Sequence, residues 1–127
     1  MIRPDARDWI RHHFEAFLNE PNLHTFRPTL RHGDFGPSNI LYDPGARTIS
    51  GIVDFGFAGL GDPAADIAAV SCYEAPFFER LCGAYPEAES MLERARFYKG
   101  TFALQEALHG FLNDDREAFE SGIADYV

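Results

Sequence analysis

Apolar residues recur at helical spacing near the start of the chain. Trp9, Ile10, His13, Phe14, Phe17 and Leu18 share one face of residues 5–19, which predicts an amphipathic helix. Asp5 is placed to cap its start, and Asn19 and Pro21 mark its end. Residues 20–29 read as a loop. From residue 30 the pattern changes. Leu30 to Asn39 is broken by Gly33, Gly36 and Pro37 and predicts no regular element. Ile40-Leu41-Tyr42 and Thr48 to Val53 are short apolar runs around the turn formers Asp43-Pro44-Gly45. They predict one hairpin. Its return brings the residues before the first strand next to those after the second, so Asn39 should lie near Asp54.

The remainder reads as helix. Asp62-Pro63 opens a helix through Val70, with aspartate as N-cap and proline at the first helical position. Phe77, Phe78 and Leu81 form the apolar face of a second short helix. A long helical pattern covers about residues 87–112, Asn113-Asp114 breaks it, and Phe119 and Ile123 share a face of a last short helix. The expected fold is therefore mainly α with one small β-hairpin.

With 127 residues, 46% hydrophobic and 14% aromatic, the chain has enough apolar material for a core, and its composition is not that of a disordered segment. The net charge is -9. In the first thirty residues Asp5, Asp8, Glu15 and Glu20 are balanced by Arg3, Arg7, Arg11 and Arg27, so the whole acidic excess lies beyond them. That distribution opposes an extended nucleic-acid surface and suits a cationic, amine-bearing ligand. Cys72 and Cys82 make neither a disulfide framework nor a zinc site. Cys72, in an apolar stretch, is expected to be a buried thiol. The start has no apolar h-region, and no apolar run approaches a membrane span. No membrane partner is expected, and the cytoplasm is the expected location.

Three polar residues at the edge of the hairpin carry the candidate chemistry: Asp34, Asn39 and Asp54. Loops on a rigid scaffold are where chemistry is usually placed. An amide oxygen and a carboxylate are a sound pair for Mg²⁺, which prefers oxygen ligands and completes its shell with water and substrate phosphates. Asn39 and Asp54 can supply that pair, and Asp34 can accept the proton of an attacking hydroxyl. Competing structural uses are a turn aspartate at 34, a cap at 39 and an Asx-turn at 54. Phe35 and Phe57 read more readily as core packing than as ligand contacts.

His32-Gly33-Asp34 followed by Asn39, then Ile52-Val53-Asp54-Phe55-Gly56, then Gly61-Asp62-Pro63 and Asp66, resembles the aminoglycoside phosphotransferase family of the protein-kinase-like superfamily. Choline and homoserine kinases are similar in this region. The order of roles is that of kinase phosphoryl transfer. The resemblance implies ATP and Mg²⁺ as cofactors and a small hydroxyl-bearing molecule as phosphate acceptor. It implies Asp34 as catalytic base and Asn39 and Asp54 as metal ligands. His32 would shape the catalytic loop, and Asp66 would be a buried carboxylate bonding that loop's backbone. Asp62 would be a helix cap bordering the site.

The resemblance also implies that residues 1–127 are a partial C-terminal lobe. The sheet lobe that supplies a glycine-rich loop and a phosphate-pairing lysine has no counterpart here: no G-x-G-x-x-G run occurs, and Lys99 is the only lysine. Self-association, or pairing with a missing N-terminal nucleotide lobe, is then expected, because the absent lobe would leave apolar surface uncovered. Two function classes stay open, a phosphotransferase domain incomplete and inactive in isolation, and a non-catalytic helical remnant acting as a binding or interaction module.

Overall fold

The computed structural model describes residues 1–71 and 73–127; the expectation for Cys72 lies outside the described residues. The fold is mostly α-helical with two small two-stranded sheets. Helix α1 spans Pro4–Leu18. Strand β1, Thr29–Arg31, follows a 3₁₀ turn at Pro21–His24. A second 3₁₀ turn, Pro37–Asn39, leads into β2, Ile40–Asp43, and β3, Thr48–Ile52. Then come β4, Gly59–Gly61, α2, Ala64–Val70, and α3, Ala75–Ala84. A 3₁₀ segment, Pro86–Met91, enters the long α4, Leu92–Leu112, and α5, Arg116–Ile123, is followed by a 3₁₀ turn, Ala124–Tyr126.

Several details differ from the sequence-based reading. Asp5 does not cap α1. Arg3 holds the N-cap position without a side-chain bond, Pro4 opens the helix, and Asp5 lies in the first turn at 3.4 Å from Arg3. The stretch around the candidate residues also holds a second ladder. β1 and β4 pair antiparallel, Thr29 with Gly61, Leu30 with Leu60 and Arg31 with Gly59. Three-residue strands containing two glycines carry no alternation for a sequence to reveal.

The expected hairpin is present, with an irregularity. Ile40 pairs with Ile52 and Leu41 with Gly51, but Tyr42 pairs with Ile49 and Asp43 with Thr48. Ser50 is thus an extra residue, a β-bulge. Directly opposed residues share a sheet face. Ile49 and Ile52 therefore share the face of Ile40 and Tyr42 although they are three apart, a spacing that would put them on opposite faces of a regular strand.

The chain divides into two compact units. One comprises Met1–Thr25 and Gly100–Val127, the other Phe26–Lys99. In the first, the Arg3 amide donates to the Tyr126 carbonyl at 2.9 Å and the Arg3 guanidinium to the Asp125 carbonyl at 3.1 Å. Trp9 stacks on His13 with ring centroids 4.8 Å apart. α4 and α5 meet backbone to backbone, because a Cβ at Gly122 would strike the Ala107 amide nitrogen and one at Gly110 the Phe119 amide nitrogen. In the second unit the core is built of small residues from α2, the 3₁₀ segment and α4: Ala64, Ile67, Ala68, Ala88, Met91 and Ala95, with Phe78, Leu81, Leu92 and Tyr98 packed around them. Phe57 is not core; it is 67% exposed. No helix among the described residues is long and apolar enough to cross a membrane.

Candidate active site

The site is assembled entirely within residues 26–99. Strand β1 delivers the chain into His32-Gly33-Asp34, and β4 delivers it into Asp62. Gly33 has φ of 87°, a left-handed conformation natural to glycine. A Cβ there would also strike the Phe57 carbonyl oxygen, so the loop presses on the backbone that follows Asp54.

The His32 ring is buried and used at both nitrogens. Nε2 lies 2.8 Å from the Val53 carbonyl oxygen, and Nδ1 accepts the Asp34 amide at 3.3 Å. A carbonyl only accepts, so Nε2 is the donor in that bond. His32 thereby links the Asp34 loop to the end of β3. Asp66, on α2, receives the His32 amide at 2.7 Å and the Gly33 amide at 2.9 Å, one on each carboxylate oxygen. Charge-assisted bonds of this kind are among the stronger ones. Asp66 is partly rather than fully buried, because it borders an open pocket shared with His32, Phe35 and Phe55.

Asn39 is buried, and its Nδ2 donates to both the Asp34 carbonyl at 2.8 Å and the Asp34 Oδ2 at 3.0 Å. Its own carbonyl accepts the Val53 amide at 3.0 Å. The start of the hairpin is thus bonded to the residue just before Asp54. Asp54 is exposed with φ of 61°, a region that aspartate tolerates better than most residues. Its Oδ1 accepts the Gly56 amide at 3.4 Å. Asp34 is exposed as well. Phe35 and Phe55 flank the His32 ring at 5.6 and 4.6 Å between centroids.

Asp62 occupies a different environment. It is 5% exposed, and both its oxygens are engaged. Oδ1 accepts the Ala64 amide at 3.0 Å, capping α2, and Oδ2 receives Arg94 Nε at 2.8 Å and the Tyr98 hydroxyl at 3.2 Å. Burial, and then the neighbouring Asp62 carboxylate, push the Tyr98 phenol above its ordinary value, so it remains a proton donor. Sequence reasoning did not single out Arg94. The available signal was an arginine on the buried face of α4, spaced with Met91, Ala95 and Tyr98, where a charge needs a partner. Among the described residues no three His, Cys, Asp or Glu side chains converge as a metal site. Asn39 and Asp54 each carry an oxygen of the kind that a hard cation takes alongside phosphate and water.

Two curated enzymes and several solved structures are similar to this chain. The viomycin phosphotransferase of Streptomyces vinaceus is 36% identical over 99 residues, covering 75% of this chain and 34% of that enzyme. The aminoglycoside 3'-phosphotransferase of Streptomyces fradiae is 35% identical over 77 residues, 54% of this chain and 29% of that enzyme. The chain thus spans about a third of the length of these curated relatives. Among solved structures, the GDP complex of wild-type aminoglycoside 2'-phosphotransferase-IIIa superposes with a TM-score of 0.82 at 23% identity, over 97% of this chain and 43% of that one. The GDP and kanamycin complex of APH(2")-IIia gives a TM-score of 0.80 at 25% identity, again over 97% and 43%. Residues 3–111 match the phosphotransferase enzyme family, and the chain belongs to that family, with the likeness covering part of the full enzyme.

Proposed function

We propose that this chain is the acceptor-and-metal portion of an ATP-dependent phosphotransferase that moves the γ-phosphoryl group to a hydroxyl of a small, amine-bearing molecule in the cytoplasm. The observation that carries this reading is the bond pair from Asn39 Nδ2 to Asp34. It holds a candidate base beside a candidate metal ligand, and the Val53–Asn39 backbone bond ties the start of the hairpin to the residue before Asp54. In the transfer step the acceptor oxygen bonds to the γ-phosphorus, and the bond to the β–γ bridging oxygen breaks and releases ADP. The hydroxyl proton passes to an Asp34 carboxylate oxygen. With Nδ2 committed to Asp34, Asn39 would offer Oδ1 to Mg²⁺ and Asp54 a carboxylate oxygen. Bound there, the ion supplies neutralisation of the phosphate charge. The net charge of -9 favours an amine-bearing acceptor, and relatives named for aminoglycosides support that class.

Catalysis of this type is mostly positioning and electrostatics, and this chain has no glycine-rich loop or matching lysine for the phosphates. The purified chain should therefore bind Mg²⁺-nucleotide weakly and turn over far below about 1 per second, the lower end of ordinary enzymes. Calorimetric titration with Mg²⁺-ATP and Mg²⁺-GTP, GTP because two solved relatives are GDP complexes, tests the first half. Metal-dependent binding should be lost in Asp54→Asn. A turnover assay with amine-bearing alcohols tests the second. Turnover near 1 per second that Asp34→Ala abolishes would show that the chain completes its own site. Absence of metal-dependent binding would favour a non-catalytic binding module.

A further inference from the structure

We propose that Arg94 and Tyr98 are positioning residues for the Asp34 loop, acting through Asp62 and α2. The proposal rests on the reading of that loop as the acceptor site. The path consists of short contacts. Arg94 Nε and the Tyr98 hydroxyl converge on one oxygen of Asp62, at 2.8 and 3.2 Å. The other oxygen of Asp62 caps α2 through the Ala64 amide. Asp66 lies one helical turn along α2 from that cap, and its two oxygens hold the His32 and Gly33 amides. Those are the two residues immediately before Asp34.

The connection is closed on its other side by the sheet. β1 runs directly into His32, β4 runs directly into Asp62, and the two strands pair through Thr29 and Gly61. The Asp34 loop and the start of α2 are thus joined at two points, and Asp62 sits where the sheet hands over to the helix. Arg94 also stands over the Phe26 ring at 5.7 Å, ahead of β1. Asp62 is deeply buried and its ion pair is nearly dry, with side chains 4% and 11% exposed. Removing Arg94 leaves a buried carboxylate without its counter-charge, a costly arrangement. The inexpensive relief is for the residue 61–66 segment to shift toward water, and that movement carries Asp66 away from the loop amides. Such a device can set the register of Asp34 although neither Arg94 nor Tyr98 touches the reacting groups.

Amide hydrogen exchange followed by NMR on the whole chain tests the proposal without nucleotide or turnover. In Arg94→Met the His32 and Gly33 amides should exchange about tenfold faster relative to the α4 amides around Ala95, the signature of local opening. Arg94→Lys, which restores a cation for Asp62, should recover most of that protection. Tyr98→Phe removes one of the two donors and should give a smaller change at the same two amides, which keeps the test available if Arg94→Met fails to fold. An equal rise at His32, Gly33, Val70 and Ala95 would mean a general loss of stability and would overturn the positioning role. Unchanged exchange at His32 and Gly33 in both variants would overturn it too. If the unmodified chain bound no Mg²⁺-nucleotide, the phosphotransferase reading would fail while this coupling was still measured.

Discussion

Asp66 accepts two backbone amides at 2.7 and 2.9 Å, whereas Asp34 stands exposed with one oxygen bonded to Asn39. The two carboxylates should therefore differ in what their loss costs. Asp66→Ala strands two loop donors and should lower stability by about 1–3 kcal/mol. Asp34→Ala leaves the loop backbone intact and should change it by no more than about 0.5 kcal/mol. Urea denaturation of both variants checks this, and equal midpoints would count against it. At this scale the sequence was informative where residues are close in the chain or carried by a motif. Asp34, Asn39 and Asp54 stand out from their place at the edge of the hairpin, and the family resemblance adds His32 and Asp66. The partners of Asp62 did not, because Arg94 and Tyr98 lie more than thirty positions away and an ion pair leaves no periodic trace. A capped helix start was legible, whereas the identity of the buried counter-charge was not.

Elements were legible in proportion to their length. α1, the hairpin, α2 and the long helix follow from apolar periodicity and turn chemistry. The β1–β4 ladder did not, for Thr29-Leu30-Arg31 and Gly59-Leu60-Gly61 are too short to show alternation, and pairing across thirty residues is not a local property. The close meeting of α4 and α5 was equally hidden. Gly110 and Gly122 read as weak points of helices, yet each is where a backbone from the other helix arrives. Gly122→Ala raises helix propensity and should nevertheless destabilise. Its Cβ would strike main-chain atoms of α4, which cannot step aside, and overpacking of this kind costs about 1–3 kcal/mol. The same change at the exposed Gly83, where a Cβ meets nothing, should stabilise or be neutral. Thermal melts of the two variants moving in the same direction would refute the contrast.

At the scale of the molecule, the second unit leaves much apolar surface in water. Leu30 and Leu60, register partners on the small sheet, are 74% and 78% exposed, and Phe55 and Phe57 are 59% and 67% exposed. Contiguous exposed patches of this kind mark contact surfaces. The purified chain should self-associate as its concentration rises, and Leu30→Lys with Leu60→Lys should shift it toward monomer. Sedimentation velocity over a concentration series measures this, and a monomer at all concentrations before substitution would remove the expectation. The net charge of -9 opposes association at low ionic strength, so added salt should promote it.

The bulge at Ser50 gives the hairpin a parity. Ile40 to Ile52 and Tyr42 to Ile49 fall on one face only because an unpaired residue separates the two halves of β3. For anyone redesigning this loop, insertions and deletions on that strand come in two kinds. Adding or removing a pair of residues returns the chain to Asp54 in the same orientation. Changing the length by one turns the emerging chain over and presents the opposite side of the residue beyond. Aligning a longer or shorter hairpin from another family member is therefore a question of odd or even, and a single gap near position 50 carries more meaning than two.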